Sequence, residues 1–141
     1  MTQDRLSTAS PYMLAVLRIM AGLLFLAHGT QKFLGFPSGE RAGSGLALDN
    51  PGAFAGLIEI VAGALIAFGL FTRPAAFLAS GTMAVAYWYA HAPQNFWPVN
   101  NMGDAAILYC FVFLYLLFAG PGPWSLDSAR RGTARTVLAA A

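Results

Sequence analysis

The sequence predicts an all-α integral membrane protein, a four-helix antiparallel bundle making one domain of residues 1–141. Composition is the first reason. The chain is 57% hydrophobic and 10% charged, where an ordinary soluble domain carries about 25% charged residues. Its mean hydropathy of +0.59 is too high for a surface covered by water. The second reason is that the apolar residues gather into four runs, each near the ~20 residues that a helix needs to cross a bilayer. The third is the distribution of arginine, which sorts the connecting segments onto two sides of a membrane.

The first span is predicted over residues 12–36 and the second over 51–71, both of full crossing length. The third (74–91) and fourth (102–120) are shorter and need interfacial residues to complete a crossing. Pro51 and Pro74 mark helix starts, and Pro121 marks a stop. Glycines recur inside the spans at 22, 29, 56, 63, 69 and 81. In water they would argue against helix, but in lipid small residues let helices pack closely. The first run is too long for the apolar core of a signal peptide, and no small-residue cleavage pattern follows it.

The linkers set the topology. "FTRP" (71–74) is tight enough to force antiparallel neighbours. Residues 37–50 form a Gly/Ser-rich loop, and "APQNFWPVNNMGD" (92–104) is polar but lacks Lys and Arg. Arg5, Arg73, Arg130, Arg131 and Arg135 fall on one side and Arg41 on the other. Cytoplasmic segments carry the excess of Lys and Arg, so both termini are expected in the cytoplasm. Trp88, Trp97 and Trp124 fit interfacial aromatic belts. The cytoplasmic tail, 121–141, reads either as a short interfacial helix capped by Ser125 or Asp127, or as a plain charged tail.

The polar residues converge by depth and by face. At ~1.5 Å per residue, His28 lies ~12 Å below the outer end of span one, and Glu59 reaches the same depth on its antiparallel neighbour. Gln31 and Lys32 sit about one turn higher. Tyr87 and His91 share a face near the outer end of span three, with Asp104, Asn100 and Asn101 at the mouth of span four. Residues three and four apart share a helical face. Arg18, Gly22, Phe25, His28, Gly29 and Lys32 therefore make one stripe, and Gly52, Gly56, Glu59 and Gly63 another. An unpaired charge at the bilayer centre costs ~2.5–3.5 kcal/mol even on the lenient scale, so Arg18 and Glu59 must face inward. Lys32 can snorkel outward and is the least constrained of the set.

Two readings of this cluster stay open. A Glu paired with a base locks two helices together, whereas a wider set of titratable groups makes a ligand site. The candidate ligand residues are His28, Gln31, Lys32, Glu59, Tyr87 and His91, with Arg18 and Asp104 as structural polar groups. Phe33, Trp88 and Phe96 are available for stacking. Cys110, the single cysteine, is expected to be a core residue, which excludes intrachain disulfides and thiolate zinc sites. No metal or nucleotide motif is present. The net charge of +2 with scattered basic residues argues against nucleic acid.

The segments "LRIMAGLLFLAHGTQKFLG", "FAGLIEIVAGALIAFGLFTRPAAFLASGTMAVAYW", "HAPQNFWPVNN" and "GPGPWSLD" resemble the DoxX family over roughly residues 12–127. That resemblance implies a small four-helix inner-membrane protein and a membrane-bound oxidoreductase component, in systems linked to quinol oxidation, thiosulfate:quinone chemistry or thiol redox balance. It singles out Arg18, His28, Gln31, Lys32 and Glu59 as the family's polar set in this chain. The residues themselves are compatible with a quinone head group: His28, Lys32, Tyr87 and His91 as donors to its carbonyls, Glu59 as a proton relay. Electrons would come from a separate soluble redox partner, and a homo-oligomer is compatible with the sequence. The alternatives are a small-solute carrier and a non-catalytic membrane scaffold or assembly protein.

Overall fold

The computed structural model describes residues 2–39, 42–44 and 51–132, with side chains placed from Leu6 onward. Arg41 and Arg135, and the side chain of Arg5, lie outside what it describes. The described residues are all-α, with no strand. Helix α1 spans Thr2–Leu34, α2 Pro51–Phe68 and α3 Thr72–Ala86, which runs on into a π-helical turn at Tyr87–His91. A short α4 (Pro98–Asn101) precedes α5 (Asp104–Ala119), and residues 126–132 are helical.

The helix ends follow local chemistry. Gly35 stops α1 in the left-handed region (φ +67°), its N–H bonding the Gln31 carbonyl at 3.1 Å. Gly120, also at positive φ (+84°) but with an extended ψ of −168°, closes α5 with its N–H on the Leu116 carbonyl at 2.9 Å. Several boundaries differ from expectation, among them the end of α2, at Phe68 rather than residue 71. Helix α1 begins well before residue 12, with Pro11 inside it. Helix α3 begins at Thr72, which places Pro74 in its first turn, where a missing N–H costs no helical bond. The fourth span is broken at Met102 (φ 57°), because the buried Asn101 side chain captures the Gly103 N–H at 2.8 Å.

Helices α1 and α2 pack antiparallel at close range. A Cβ at Gly22 would lie 2.6 Å from the Ala67 nitrogen, and one at Gly29 would lie 2.7 Å from the Gly56 carbonyl oxygen. The two glycines are thus required by the approach of the backbones themselves. Helix α3 turns its small residues Ala75, Ala76, Ala79 and Ser80 inward, and the Ser80 hydroxyl donates to the Cys110 carbonyl of α5 at 2.9 Å. Phe25, Phe113 and Leu116 are fully buried at the centre.

The outside is apolar: Phe68, Phe77, Phe111 and Phe118 are each 64–73% exposed. A surface of that kind needs lipid against it. By length and composition, Leu6–Leu34 and Pro51–Phe68 suffice to cross a membrane; α5 is apolar but shorter.

In the tail, Ser125 caps the 126–132 helix by accepting the Ser128 N–H at 3.2 Å. Asp127 instead caps α3, its carboxylate accepting the N–H groups of Phe71 (3.0 Å) and Thr72 (2.9 Å) and the Thr72 hydroxyl (2.9 Å). Burial alone would raise the Asp127 pKa. The Thr72 and Phe71 bonds and the Arg131 charge outweigh it and hold the carboxyl below its ordinary value. A depressed folded-state pKa stabilises the docked tail above the ordinary carboxylate range, and that stabilisation is lost as pH falls through the folded value. The emission of the neighbouring Trp124 is therefore expected to change on acidification in wild type. In Asp127→Asn that acid transition should disappear; its persistence would assign the transition to another group.

Candidate functional site

The centre of the polar region is an ion pair between α1 and α2. Lys32 Nζ donates to both Glu59 oxygens at 2.7 Å. The lysine side chain is 13% exposed and the glutamate 5%. The lysine stem lies along Gly56, where an added Cβ would come within 2.9 Å of the Lys32 Cδ. A long side chain starting one turn above Glu59 thus reaches down to it. Lys32 does not snorkel outward: the cost of leaving Glu59 unpaired outweighs the gain from hydrating the ammonium.

His28 lies on the outside of the same helix end. At about 100° per residue, it stands about 80° from Arg18 around α1, at the edge of the inward stripe. Arg18, Gly22, Phe25 and Gly29 are buried, but His28 is exposed. Its ring meets Tyr109 of α5 edge-on, with centroids 6.1 Å apart. Tyr109 stacks on Phe113 at 5.6 Å. In the sequence this tyrosine sits in the apolar run 109–118, which reads as packing and lipid contact. Its depth counted from Asp104, ~7.5 Å, is the signal that places it near the other polar groups.

The remaining candidates serve neighbouring junctions. The Gln31 amide donates to the Pro37 carbonyl at 3.2 Å, tying α1 to the segment after it. Tyr87 and His91 bracket the π turn, in which the Ala92 N–H bonds the Tyr87 carbonyl at 2.9 Å. His91 Nδ1 lies 2.8 Å from the Asn101 carbonyl oxygen, and the Tyr87 ring packs on Gly103. Asn101, 1% exposed, also donates to the Asn95 carbonyl at 2.7 Å. Its role in shaping this loop has no periodic signature in the sequence. Asp104 is exposed in the first turn of α5, where a carboxylate complements the helix dipole. Of the rings proposed for stacking, Phe33 packs on Gly56, Trp88 meets Tyr87 and Phe96 meets Trp97.

Arg18 sits at the other end, completely buried. Its guanidinium donates to the carbonyls of Ile66 (2.7 Å), Ala67 (2.7 Å), Pro121 (2.8 Å) and Trp124 (2.8 Å). It caps the negative end of α2 and fastens the 121–124 segment to it. This is a structural role, distant along the helix from the Lys32–Glu59 pair.

Comparison with known proteins agrees with this apolar exterior. The DoxX family profile matches residues 13–92. An uncharacterized protein of Haemophilus influenzae is 44% identical over 128 residues, covering 89% of this chain and 96% of that one. An uncharacterized membrane protein of Mycobacterium tuberculosis is 32% identical over 146 residues, covering 92% and 89%. The inner membrane protein YphA of Escherichia coli is 32% identical over 134 residues, covering 84% and 91%. No solved structure matches the chain significantly. The profile takes in α2, α3 and most of α1, with Lys32, Glu59 and His28, the three relatives match over nearly their whole length, and two of them are named as membrane proteins: the chain belongs to the DoxX family of membrane proteins.

Proposed function

We propose that the chain is the membrane subunit of a quinone-linked redox system in the bacterial inner membrane. In this reading it crosses the membrane as a four-helix antiparallel bundle with both termini in the cytoplasm. A quinone head group, or a polar aromatic ligand of similar size, enters sideways from the lipid at the outer-half polar cluster. One observation carries the reading: His28 is exposed on α1, edge-on to Tyr109. A helix lock needs only the Lys32–Glu59 pair and gives no reason to expose an imidazole on the apolar exterior of the bundle.

The chemistry suits a quinone. Its carbonyl oxygens need hydrogen-bond donors, which the imidazole N–H and the Tyr109 phenol supply. Its reduction takes up protons, and in this reading the Glu59 carboxylate relays them. Gln31, Tyr87 and His91 frame the same end of the bundle. A soluble partner supplies the electrons. The scaffold reading keeps support from the completeness of the ion pair, in which Lys32 reaches both carboxylate oxygens.

The two readings part in a titration of the purified protein with a short-chain quinone, followed by tryptophan quenching. Saturable quenching in wild type, weakened in His28→Ala and in Tyr109→Phe variants that remain folded, is the expected result. Equal binding by the variants, or no binding at all, would end the quinone reading and favour the scaffold role.

A further inference from the structure

We propose that the groove between the start of α3 and the tail helix binds the phosphate of an anionic phospholipid, with Arg73, Arg130 and Arg131 as its cationic wall. The groove is open, about 370 Å³ in volume, and Phe71, Thr72 and Asp127 complete the lining that matters. It lies at the opposite end of α2 from Pro51, far from the Lys32–Glu59 pair. The inference does not depend on the quinone reading or on which side faces the cytoplasm.

Charge favours an anion. Three arginines face one carboxylate. The Asp127 carboxylate is already engaged by the Phe71 and Thr72 N–H groups and the Thr72 hydroxyl at 2.9–3.0 Å. All three arginines are exposed. The Leu117 carbonyl takes one Arg73 donor at 3.0 Å, which holds that guanidinium along the end of α5. Arg130 lies over the Phe71 ring at 5.6 Å, and this cation–π contact orients it toward the groove mouth. A surplus of positive charge on partly immobilised guanidinium groups is the arrangement that recognises a phosphate, because the planar fork matches its oxygens.

Depth decides between a lipid and a free anion. The eighteen residues of α2 cover ~27 Å, close to the ~30 Å hydrocarbon thickness of a bilayer. Phe68, at its end, marks one edge of the hydrocarbon, and the groove begins three residues later at headgroup level. Phe68 and Phe118, 68% and 73% exposed, lie on the last turns of α2 and α5, the two helix ends that the groove adjoins through Phe71 and Pro121. Acyl chains cover such apolar helix ends while the phosphate meets the arginines above them. A free phosphate makes no use of them.

The test is native mass spectrometry of the full chain released from neutral detergent, titrated with phosphatidylglycerol or phosphatidylcholine. Phosphatidylglycerol should bind roughly a hundredfold more tightly, three arginines at about fivefold each. Arg130→Gln combined with Arg131→Gln should weaken it roughly twenty-five-fold, while phosphatidylcholine binding stays unchanged. The corresponding double lysine variant should recover part of the affinity, since it keeps the charge but not the planar fork, which separates loss of charge from loss of fold. Inorganic phosphate in excess should not displace the lipid. Equal retention of the two lipids, an undiminished response in the glutamine variant, or displacement by inorganic phosphate would each overturn the proposal, the last by assigning the groove to a free anion.

Discussion

Replacing Arg18 with methionine is expected to destabilise the protein by about 4–6 kcal/mol, enough to undo a marginally stable fold. Methionine keeps an apolar stem of similar reach but removes every donor. The carbonyls of Ile66, Ala67, Pro121 and Trp124 then lose their shared partner. A buried polar group left unpaired costs about 1–3 kcal/mol. The four costs will not add fully, since the freed 121–124 segment can move and admit water. Arg18→Lys should recover only part of the loss, because one ammonium cannot reach carbonyls on both α2 and the 121–124 segment with the geometry of a planar fork. Thermal unfolding in detergent gives the magnitude, and Trp124 emission gives the local effect. An Arg18→Met protein melting within a few degrees of wild type would show that water already serves these carbonyls.

Lys32→Met is expected to cost about 3–5 kcal/mol at neutral pH, because it leaves Glu59 buried without its cation. Glu59→Leu should cost less. Lys32 is in the last turn of α1 and can swing its ammonium to the interface once the carboxylate is gone. Pairing the two substitutions should restore much of the stability, since a buried ion pair exchanged for packed apolar side chains is often neutral. Thermal melts of the two single variants and the double variant give the coupling. Additive losses, with no recovery in the double variant, would mean that the two side chains do not act as a pair.

The helices and their apolar nature were legible because long apolar runs bounded by proline and glycine leave few alternatives to helix. The Gly22–Gly63 approach was legible for a related reason, as small residues on one face mark where backbones meet. Depth counting identified Glu59 and its partner helix, but not which base would pair with it. Lys32 starts one turn too high by Cα position, and only the length of its side chain brings it down. His28 was misplaced by a face rule too coarse to separate the centre of a stripe from its edge. Tyr109 was hidden in an apolar run where aromatic residues ordinarily face lipid. The partners of Arg18 were invisible because they are backbone carbonyls, which no residue type announces. Tyr87 and His91 were grouped with Glu59 by depth, while the π turn and Asn101 direct their contacts to the loop before α5.

The most direct test of the proposed ligand site is an experimental structure of the protein saturated with a short-chain quinone. The expected result is density at the α1–α5 surface, with one carbonyl oxygen within hydrogen-bond distance of the His28 ring or the Tyr109 hydroxyl and the Lys32–Glu59 pair intact behind it. A ligand found elsewhere on the molecule, or an unoccupied His28–Tyr109 surface at saturating quinone, would contradict it.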